Sequence, residues 1–183
     1  MDVPAPASYR KGHILVILPP MKVAIVSDIH DKTNNLLSAV ATAKELGCER
    51  MIFLGDMVHL QTFILLREEW DGPLDLVFGN NEYEWEGFYR YAAAVPDTTL
   101  HGEHGELELD GLRIFFTHLP SVAECACRCE RYDIILYGHT HMAEIRRQGE
   151  RLLANPGEVQ GRSGQTTIGV LDTSDRTILL YPI

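Results

Sequence analysis

The stretch Met21–Asp31, MKVAIVSDIHD, joins a short apolar run to a polar turn. Residues Val23–Val26 are wholly apolar, which is typical of a strand that is buried on both faces. Asp28 and His30 follow directly. In α/β sheets, ligands bind beyond the carboxyl ends of the strands. The stretch therefore predicts both a buried strand and the beginning of a binding site.

The chain beyond this strand alternates helical spacing with short apolar runs. Apolar residues recur at helical spacing from Leu36 to Leu46. Asn34 and Asn35 precede them as candidate caps, and Gly47 follows as a stop. Further predicted strands cover residues 51–54 and 74–78, and further predicted helices cover residues 63–69 and 82–94. This alternation indicates a layered α/β domain.

The pattern changes after Pro96. Residues 106–109 and 112–117 predict a β-hairpin that is closed by an Asp110-Gly111 turn. A helix over 121–131, a strand over 134–137 and antiparallel strands over 143–183 complete the prediction. Because no internal repeat or low-complexity linker divides the chain, we expect a single domain over residues 21–183, with two packed sheets flanked by helices. Residues 1–20 are expected to be a loose N-terminal extension or, alternatively, an added edge strand.

Composition limits the possible functions. The 183 residues include 26 Asp and Glu against 16 Lys and Arg, a formal net charge of −10. This charge argues against non-specific binding to nucleic acid or to anionic membranes. No run approaches the ~20 apolar residues of a membrane span, and the run Ile14–Leu18 is too short for a secretory signal. We therefore expect a cytoplasmic protein with no membrane association and no stable nucleic-acid partner.

Metal-ligand residue types stand directly after the predicted strands. They are Asp28 and His30 after the first strand, Asp56 after the second, Asn80 after the third, His118 after the run ending at Thr117, and His139 and His141 after the run ending at Tyr137. Gly55, Gly79 and Gly138 precede three of them, where a backbone must turn sharply behind a ligand. Imidazole and carboxylate groups together suit transition metals. We therefore expect these seven residues to converge on one metal-binding pocket.

The same residues, in the same order, resemble the motifs of a known family. The resemblance is carried by Ser27–His30, Gly55–Asp56, Gly79–Glu82, Thr117–His118 and Gly138–His141. These segments resemble the ordered motifs of the calcineurin-like metallophosphoesterase superfamily, and most closely its small bacterial and archaeal phosphodiesterase branch. The resemblance runs from Met21 to about Ile183. It implies a four-layer α/β/β/α sandwich of two mixed β-sheets flanked by helices, with a dinuclear metal centre at the strand ends.

The resemblance also implies a role for each residue. It assigns one divalent transition-metal ion to Asp28, His30 and His141, the other to Asn80, His118 and His139, and the bridging position to Asp56. Mn is the first expectation for both ions, and Fe, Zn, Co and Ni are alternatives. A hydroxide that bridges the ions would attack the phosphorus of a small phosphate ester in line. The implied enzyme is a metal-dependent phosphodiesterase.

Asn81 departs from the pattern of the wider superfamily. Many members carry a His at this position, which assists the leaving group, whereas an amide cannot donate a proton as an acid. Asn81 is still a candidate for contact with the leaving group or the phosphate. Relatives in the small phosphodiesterase branch also lack that His, so Asn81 favours this branch over the protein phosphatases. Because no His can protonate a poor leaving group here, Asn81 also predicts a preference for phosphodiesters or activated aryl esters over alkyl monoesters. A second departure is Leu119-Pro120, where many close relatives carry Gly-His.

Two other functions remain open. One is a protein-binding scaffold of the Vps29 type, which shares the fold, although every ligand position is intact in this chain. The other is a nucleotide or dinucleoside-polyphosphate hydrolase of the same superfamily, since no residue pattern marks a base pocket. A homo-oligomer is also open, because relatives often associate.

Several other residues invite a functional interpretation. Asp31 and Glu82 are expected either to hydrogen-bond the ligands or to be solvated loop carboxylates. Cys125, Cys127 and Cys129 are expected to be structural or incidental thiols, because helix residues two apart point to different faces. The remaining histidines match no ligand position and are expected at the surface or in loops: His13, His59, His101 and His104. A cluster of aromatic residues is expected either to pack in the core or at an interface, or to line a substrate cleft: Tyr83, Trp85, Phe88, Tyr89 and Tyr91.

Overall fold

The structure, a computed structural model, describes residues 21–183, so the predicted N-terminal extension lies outside the described residues. The described part contains eleven strands and four helices. In chain order they are β1 (Lys22–Val26), α1 (Thr33–Glu45), β2 (Arg50–Phe53), α2 (Leu60–Glu69), β3 (Leu74–Leu76), α3 (Trp85–Ala94), β4 (Thr98–Leu100), β5 (His104–Leu109), β6 (Leu112–Thr117), α4 (Pro120–Cys127), β7 (Ile134–Leu136), β8 (Glu144–Gln148), β9 (Arg151–Asn155), β10 (Thr167–Asp172) and β11 (Thr177–Pro182).

The strands form two mixed sheets. The six-stranded sheet has the order β11-β10-β1-β2-β3-β4, and its strands β1 to β4 are parallel while β10 is antiparallel to both of its neighbours. The five-stranded sheet has the order β5-β6-β7-β9-β8, with parallel pairing between β6, β7 and β9 and antiparallel hairpins at both edges. The prediction of two mixed β-sheets is confirmed.

Alternate side chains of β1 bury both faces of the first sheet. Ala24 and Val26 pack in one core with residues of α1, α2 and α3, whereas Val23 and Ile25 pack in a second core against the other sheet. Ala123 of α4 packs on the outer face of that other sheet in a third core. The layers are therefore helices, sheet, sheet and helix, which confirms the predicted α/β/β/α sandwich. None of the helices in the described part is long and apolar enough to cross a membrane.

The β5–β6 hairpin forms as predicted. Asp110 and Gly111 have φ values of 49° and 78°, which are the two left-handed conformations that a two-residue type I′ turn requires. Leu109 and Leu112 face each other across the turn. This local sequence signal therefore sets the register of the hairpin.

The boundaries of all four helices differ from the prediction, since α2 begins at Leu60 instead of residue 63 and α3 begins at Trp85 instead of residue 82. The helix α1 begins at Thr33, so Asn34 and Asn35 lie inside its first turn instead of capping it. The side chain of Asn35 donates a 2.9 Å hydrogen bond to the carbonyl oxygen of Val159, which ties α1 to a distant loop. The helix α4 ends at Cys127, short of the predicted end at Arg131. The chain leaves the helical conformation here, and Glu130 has a left-handed φ of 48°.

Two features of the sheets were also predicted wrongly or missed. The strand β4 was missed because its burial pattern has no fully buried position, so no apolar run marks it. The strand β9 is parallel to β7, although antiparallel strands were expected after residue 143. The reason is the β8–β9 hairpin, which places β8 at the edge and returns the chain as β9 between β8 and β7.

The carboxyl ends of the parallel strands in both sheets meet at one edge of the sandwich. The backbone N–H of Asp28, after β1, donates a 3.1 Å hydrogen bond to the carbonyl oxygen of Gly55, after β2. In the other sheet, Gly138 N–H donates a 3.1 Å hydrogen bond to His118 O. His139 N–H joins the sheets with a 3.0 Å bond to Asp28 Oδ2. Residues from both sheets therefore share one pocket.

Candidate metal centre

The structure brings the seven predicted ligand residues together at this edge. They form two groups, and within each group the ligand atoms of the acidic and histidine residues lie within 4.8 Å of one another. The first group contains Asp28, His30 and His141, and the second contains Asp56, His118 and His139. Asn80 joins the second group, because its Oδ1 lies 3.1 Å from His118 Nε2.

Asp56 connects the two groups. Its Oδ2 lies 3.4 Å from His30 Nε2 and 3.5 Å from His118 Nε2. Two ligand atoms that bind one metal at about 2.1 Å are separated by roughly 3.0–3.4 Å. The observed distances are therefore close to those between ligands of a common ion. One carboxylate oxygen within reach of both groups is the geometry that a bridging ligand requires.

Asp28 presents one free oxygen to the first group. Its Oδ2 accepts hydrogen bonds from Ser27 Oγ at 2.6 Å and from the backbone of His139. Its Oδ1 and the nearby His30 Nε2 are buried and have no hydrogen-bond partner among the described residues. His141 Nε2 lies 3.4 Å from the same Oδ1. Buried polar atoms are normally paired, and a cation between these three atoms would satisfy them, so the residues present fit a metal ion.

Hydrogen bonds orient two of the histidine rings. His118 Nδ1 lies 2.7 Å from the carbonyl oxygen of Leu54, and a carbonyl can only accept, so Nδ1 carries the proton and Nε2 keeps its lone pair for the centre. His141 Nδ1 lies 2.5 Å from Oε2 of the fully buried Glu158. A carboxylate on the far nitrogen fixes the ring and raises its basicity as a ligand. Sequence analysis missed Glu158, because no motif or strand end marks it.

The pKa of Asp56 is well below its ordinary value. Burial raises the pKa of this carboxyl, but the hydrogen bond and charge of His118, followed by Asn81 and His30, outweigh burial and lower the pKa to about 2. The pKa values of both histidines are raised in turn, His30 chiefly by its interaction with Asp28 and His118 by Asp56 against the opposing effect of burial. The pocket is therefore a region of negative potential that favours cations.

Glu82 holds the loops of the second group together. Its Oε1 accepts a 2.6 Å hydrogen bond from Met57 N–H, and its Oε2 accepts a 2.7 Å hydrogen bond from Gly79 N–H. Burial raises the pKa of this carboxyl. The alternative of a solvated loop carboxylate is therefore wrong for Glu82, which instead links the loop that carries Asp56 to the loop that carries Asn80. Neither oxygen contacts a ligand side chain.

Asn81 also forms hydrogen bonds with Asp56. The backbone N–H of Asn81 donates a 2.9 Å hydrogen bond to Asp56 Oδ1, and its side-chain Nδ2 donates a 2.7 Å hydrogen bond to Asp56 Oδ2. Asn81 thus binds both carboxylate oxygens of Asp56. The amide of Asn81 points at a predicted ligand in this structure.

Backbone conformation at the site is unusual. Five of the seven predicted ligands have positive φ values, between 44° and 70°: Asp28, His30, Asp56, His139 and His141. Side-chain-bearing residues rarely adopt this conformation, which costs of order 1–3 kcal/mol and concentrates at functional sites. The hydrogen bonds between the loops offset this cost. The tight turns direct the side chains of these five residues into one small volume.

Two glycines allow these turns to approach one another. A Cβ at Gly79 would overlap Asp56 Oδ1 and the Asp56 backbone, and a Cβ at Gly138 would overlap Ser27 Oγ and crowd Asp28 Oδ2. Glycine is therefore required at both positions by close packing against the two carboxylates. This agrees with the turns that the sequence predicts before Asn80 and His139.

The other titratable candidates lie apart from the two groups. Asp31 binds Thr62 Oγ1 at 2.6 Å and the half-exposed His59, whose Nδ1 lies 2.5 Å from Asp31 Oδ2, so it does not hydrogen-bond a predicted ligand. His101 is half-buried against Asp75, and His104 is exposed at the start of β5. His13 lies outside the described residues.

The cysteines and the aromatic cluster divide between core and surface. All four cysteines are free thiols, with Cys48 and Cys127 buried and Cys125 and Cys129 exposed. Phe88 is buried in the first core, and Tyr91 packs against that core. The remaining aromatic residues of the cluster are largely exposed: Tyr83, Trp85 and Tyr89. Packing in the core is thus confirmed for only part of the cluster.

A four-layer sandwich with metal-ligand side chains at the meeting strand ends is the arrangement that the family resemblance implies for a metallophosphoesterase. The model of the calcineurin-like phosphoesterase superfamily domain matches residues 21–176. The chain belongs to this family. The family resemblance that the sequence motifs indicate is therefore confirmed.

Several known proteins resemble this chain in sequence or in structure. Phosphodiesterase MJ0936 of Methanocaldococcus jannaschii is 32% identical over 160 residues, which cover 85% of this chain and 95% of the relative. A solved archaeal phosphodiesterase has a TM-score of 0.83 and 30% identity, and covers 89% of this chain and 100% of its own. Vps29 of Chaetomium thermophilum has a TM-score of 0.61 at 16% identity, over 89% of this chain and 93% of its own, and shares the fold. The chain is therefore a hydrolase of the phosphoesterase superfamily.

Proposed function

We propose that the chain hydrolyses phosphodiesters with two divalent transition-metal ions held at the candidate metal centre. Asp28, His30 and His141 would hold one ion, Asn80, His118 and His139 would hold the other, and Asp56 would bridge them. The observation that carries the proposal is the position of Asp56 Oδ2, 3.4 Å from a nitrogen of one group and 3.5 Å from a nitrogen of the other. Residues 21–183 would form the single catalytic domain.

The residues of the chain prepare this centre in specific ways. Two bound ions would acidify a water held between them and polarise the oxygens of the phosphate. Asp28 and Asp56 balance part of the positive charge, so that enough remains to attract a phosphate anion. Leu54 O and Glu158 hold His118 and His141 with one nitrogen aimed at the centre. Asn81 fixes both oxygens of Asp56.

The substrate preference follows from the residues after Asn80. Asn81 carries an amide, which cannot act as an acid, and both oxygens of Glu82 accept backbone hydrogen bonds. Neither residue is placed to protonate a leaving group. General acid catalysis contributes about 10²–10⁴-fold, and its absence weighs most on leaving groups of high pKa. We therefore propose phosphodiesters and activated aryl esters as better substrates than alkyl monoesters.

The donor set favours a borderline transition ion. Both groups offer nitrogen and oxygen atoms only, and none of the four cysteines belongs to either group. Such a set accepts Mn, Fe, Zn, Co or Ni, and occupancy follows supply as well as affinity. We propose Mn as the most effective ion, because two of the residues, Asp28 and Asp56, contribute hard carboxylate oxygens.

The test is a metal titration of the stripped protein. Protein treated with a chelator is resupplied with one metal at a time, and two quantities are measured: the number of ions bound per chain by calorimetry, and the hydrolysis of bis(p-nitrophenyl) phosphate and p-nitrophenyl phosphate. We expect two ions per chain, with activity returning as the second binds and the diester hydrolysed faster. Full activity in metal-free protein, or a single ion at full activity, would overturn the dinuclear mechanism.

The same titration separates the enzyme from a scaffold. A scaffold of the Vps29 type would bind little metal or would bind it without hydrolysing either ester. A nucleotide or dinucleoside-polyphosphate hydrolase would show a much larger rate with those compounds than with the aryl diester. Adding both compounds to the panel therefore decides between the three functions.

The remaining expectations on partners and compartment are also part of this proposal. The partner would be a small phosphate ester, because the net charge of −10 opposes binding to nucleic acid. A reducing compartment such as the cytoplasm would keep the four free thiols reduced. Light scattering of the purified protein tests whether it forms a homo-oligomer.

A further inference from the structure

A small apolar pocket opens beside the second ligand group. Its volume is about 130 Å³. It lies between the segment Phe78–Asn80 and the residues on either side of His118, so the two loops that present Asn80 and His118 also form its walls. The lining residues that matter here are Phe78, Asn80, Trp85, Thr117, Leu119 and Val122. The pocket therefore shares Asn80 with the second ligand group of the candidate metal centre.

Trp85 gives this pocket a rigid flat wall. Its ring stacks on Phe78, with ring centroids 5.0 Å apart and an interplanar angle of 10°. The indole Nε1–H donates a 2.7 Å hydrogen bond to the carbonyl oxygen of Glu82, which fixes the ring further. Nevertheless the side chain is 48% exposed. A large aromatic surface that is held in place but left open to solvent is typical of a binding site.

Two aliphatic side chains form the opposite wall. Leu119 and Val122 lie at the start of α4 and are 40% and 36% exposed. They belong to α4, the helix on the outer face of the five-stranded sheet, whereas Trp85 belongs to the start of α3, which packs on the six-stranded sheet. Exposed apolar side chains at the start of α3 and at the start of α4 thus line the same pocket. Burial of these surfaces by a ligand would release water from both walls.

The size and chemistry of the pocket select a single planar ring. A closed apolar cavity of about 150 Å³ holds benzene, and this pocket of about 130 Å³ has an open side. Glu103 also lines it, so a neutral ring is favoured over an anionic one.

We propose that this pocket binds a neutral planar aromatic substituent of the phosphoester whose phosphate lies at the metal centre, with Trp85, Leu119 and Val122 as specificity-determining residues. The inference rests on the proposed function, since the phosphate is placed by the bound metals. It adds a preference in binding that does not depend on the pKa of the leaving group: an aryl or heteroaryl group on the phosphate is bound more tightly than a small alkyl group. Stacking a ring on an aromatic side chain strengthens binding by about tenfold.

The test compares diphenyl phosphate with dimethyl phosphate on metal-loaded protein. Calorimetry gives both dissociation constants, and the quenching of tryptophan fluorescence reports stacking directly, because Trp70 is buried and Trp85 is exposed. We expect diphenyl phosphate to bind wild-type protein at least about tenfold more tightly and to quench the emission. The variants Trp85→Leu, which removes the flat wall, and Val122→Phe, which fills the pocket, should reduce this ratio to within about twofold without weakening dimethyl phosphate. Tyr83→Leu, on an exposed aromatic residue that does not line the pocket, is the matched control and should keep the wild-type ratio.

The outcomes separate the pocket from the proposed function. If the wild-type protein hydrolyses diesters and binds both phosphates with equal affinity, the pocket proposal is wrong and the proposed function stands. If neither phosphate binds and no ester is hydrolysed in the presence of metal, the proposed function fails and the pocket proposal fails with it. The wild-type ratio decides between these outcomes even if a variant folds poorly. An unchanged ratio in folded Val122→Phe protein would also overturn the assignment.

Discussion

Asn81 Nδ2 donates a 2.7 Å hydrogen bond to Asp56 Oδ2, the oxygen that lies between His30 and His118. The residue that stands where many relatives carry a histidine is therefore attached to the connecting carboxylate. This arrangement gives Asn81 a positioning role that the sequence does not reveal. It also leaves the leaving group without an acid from this position.

The first prediction concerns the leaving group. In wild-type protein, the rate of diester hydrolysis should fall steeply as the pKa of the leaving group rises, because no acid at residue 81 protonates it. The substitution Asn81→His should flatten this dependence by supplying an acid, whose effect is about 10²-fold or more for poor leaving groups. The measurement is a series of aryl and alkyl diesters at constant metal loading.

Asn81→Ala is the control for this series. It removes the amide and the bond to Asp56 Oδ2 without adding an acid, while the backbone N–H of residue 81 still binds Asp56 Oδ1. It should retain the steep dependence, with weaker metal binding. Equal slopes in wild-type protein and Asn81→His would show that another group supplies the proton.

The second prediction concerns the bridging position. Asp56→Asn removes the carboxylate whose Oδ2 lies within 3.5 Å of a histidine nitrogen in each ligand group, so we expect fewer than two ions per chain and a loss of turnover of about 100-fold or more. Elemental analysis and diester hydrolysis measure the two effects. Asp75→Asn is a matched control, because Asp75 is equally buried but binds Arg50 and His101 away from the centre. Normal metal content in Asp56→Asn would contradict the bridging role.

The third prediction concerns Glu82 and stability. Glu82→Gln places an amide N–H₂ against one of two backbone N–H donors, those of Met57 and Gly79, and leaves that donor unpaired. An unpaired buried donor destabilises the folded state by about 1–3 kcal/mol. Urea denaturation of metal-free protein measures the free energy of unfolding. Glu84→Gln, at an exposed neighbouring position, should change it by less than about 0.5 kcal/mol.

Local sequence signals account for most of the fold and for the positions of the predicted ligands. The apolar run before Asp28, the Asp110-Gly111 turn and the glycine before Asn80 each act within a few residues. Because parallel strand ends share one edge, placing a residue after a strand is enough to predict where it lies. Two packed sheets flanked by helices could be predicted in this way, whereas the four-layer order was implied by the family resemblance.

The features that were missed depend on contacts between distant segments. Glu158 orients His141 only because the loop after β9 crosses to the metal edge, and nothing beside Glu158 in the sequence indicates this. Asn35 looks like a helix cap but binds Val159 instead. The two hydrogen bonds from Asn81 to Asp56 likewise depend on how two loops meet. Sequence periodicity carries no information on such loop packing.

The fourth prediction concerns the thiols. Burial raises the pKa of Cys48 to about 11, so at pH 8 almost none of it is thiolate, and the thiolate is the reactive form. With a thiol reagent at pH 8, we expect rapid reaction at the exposed Cys125 and Cys129, and reaction at Cys48 and Cys127 only after unfolding in urea. Between pH 8 and pH 10 the rate at Cys48 should still rise with pH, because its pKa lies above this range. Peptide mapping identifies the labelled residues. Rapid labelling of Cys48 at pH 8 would contradict its burial.

The final prediction concerns residues 1–20. A chain that begins at Met21 should keep the metal content, the turnover and the thermal stability of the full chain, because every proposed ligand lies at or beyond Asp28 and β1 begins at Lys22. In this shortened chain the nitrogen of Met21 becomes the terminal amine. That nitrogen already donates a 2.9 Å hydrogen bond to Thr173 Oγ1 and lies 3.4 Å from Asp110 Oδ2, so its added positive charge would face a carboxylate. The shortened and full chains are compared by elemental analysis, diester hydrolysis and thermal melting. A large fall in turnover with unchanged melting would show that the extension contributes to the site, and a fall in both would show that it adds a strand to the sheet.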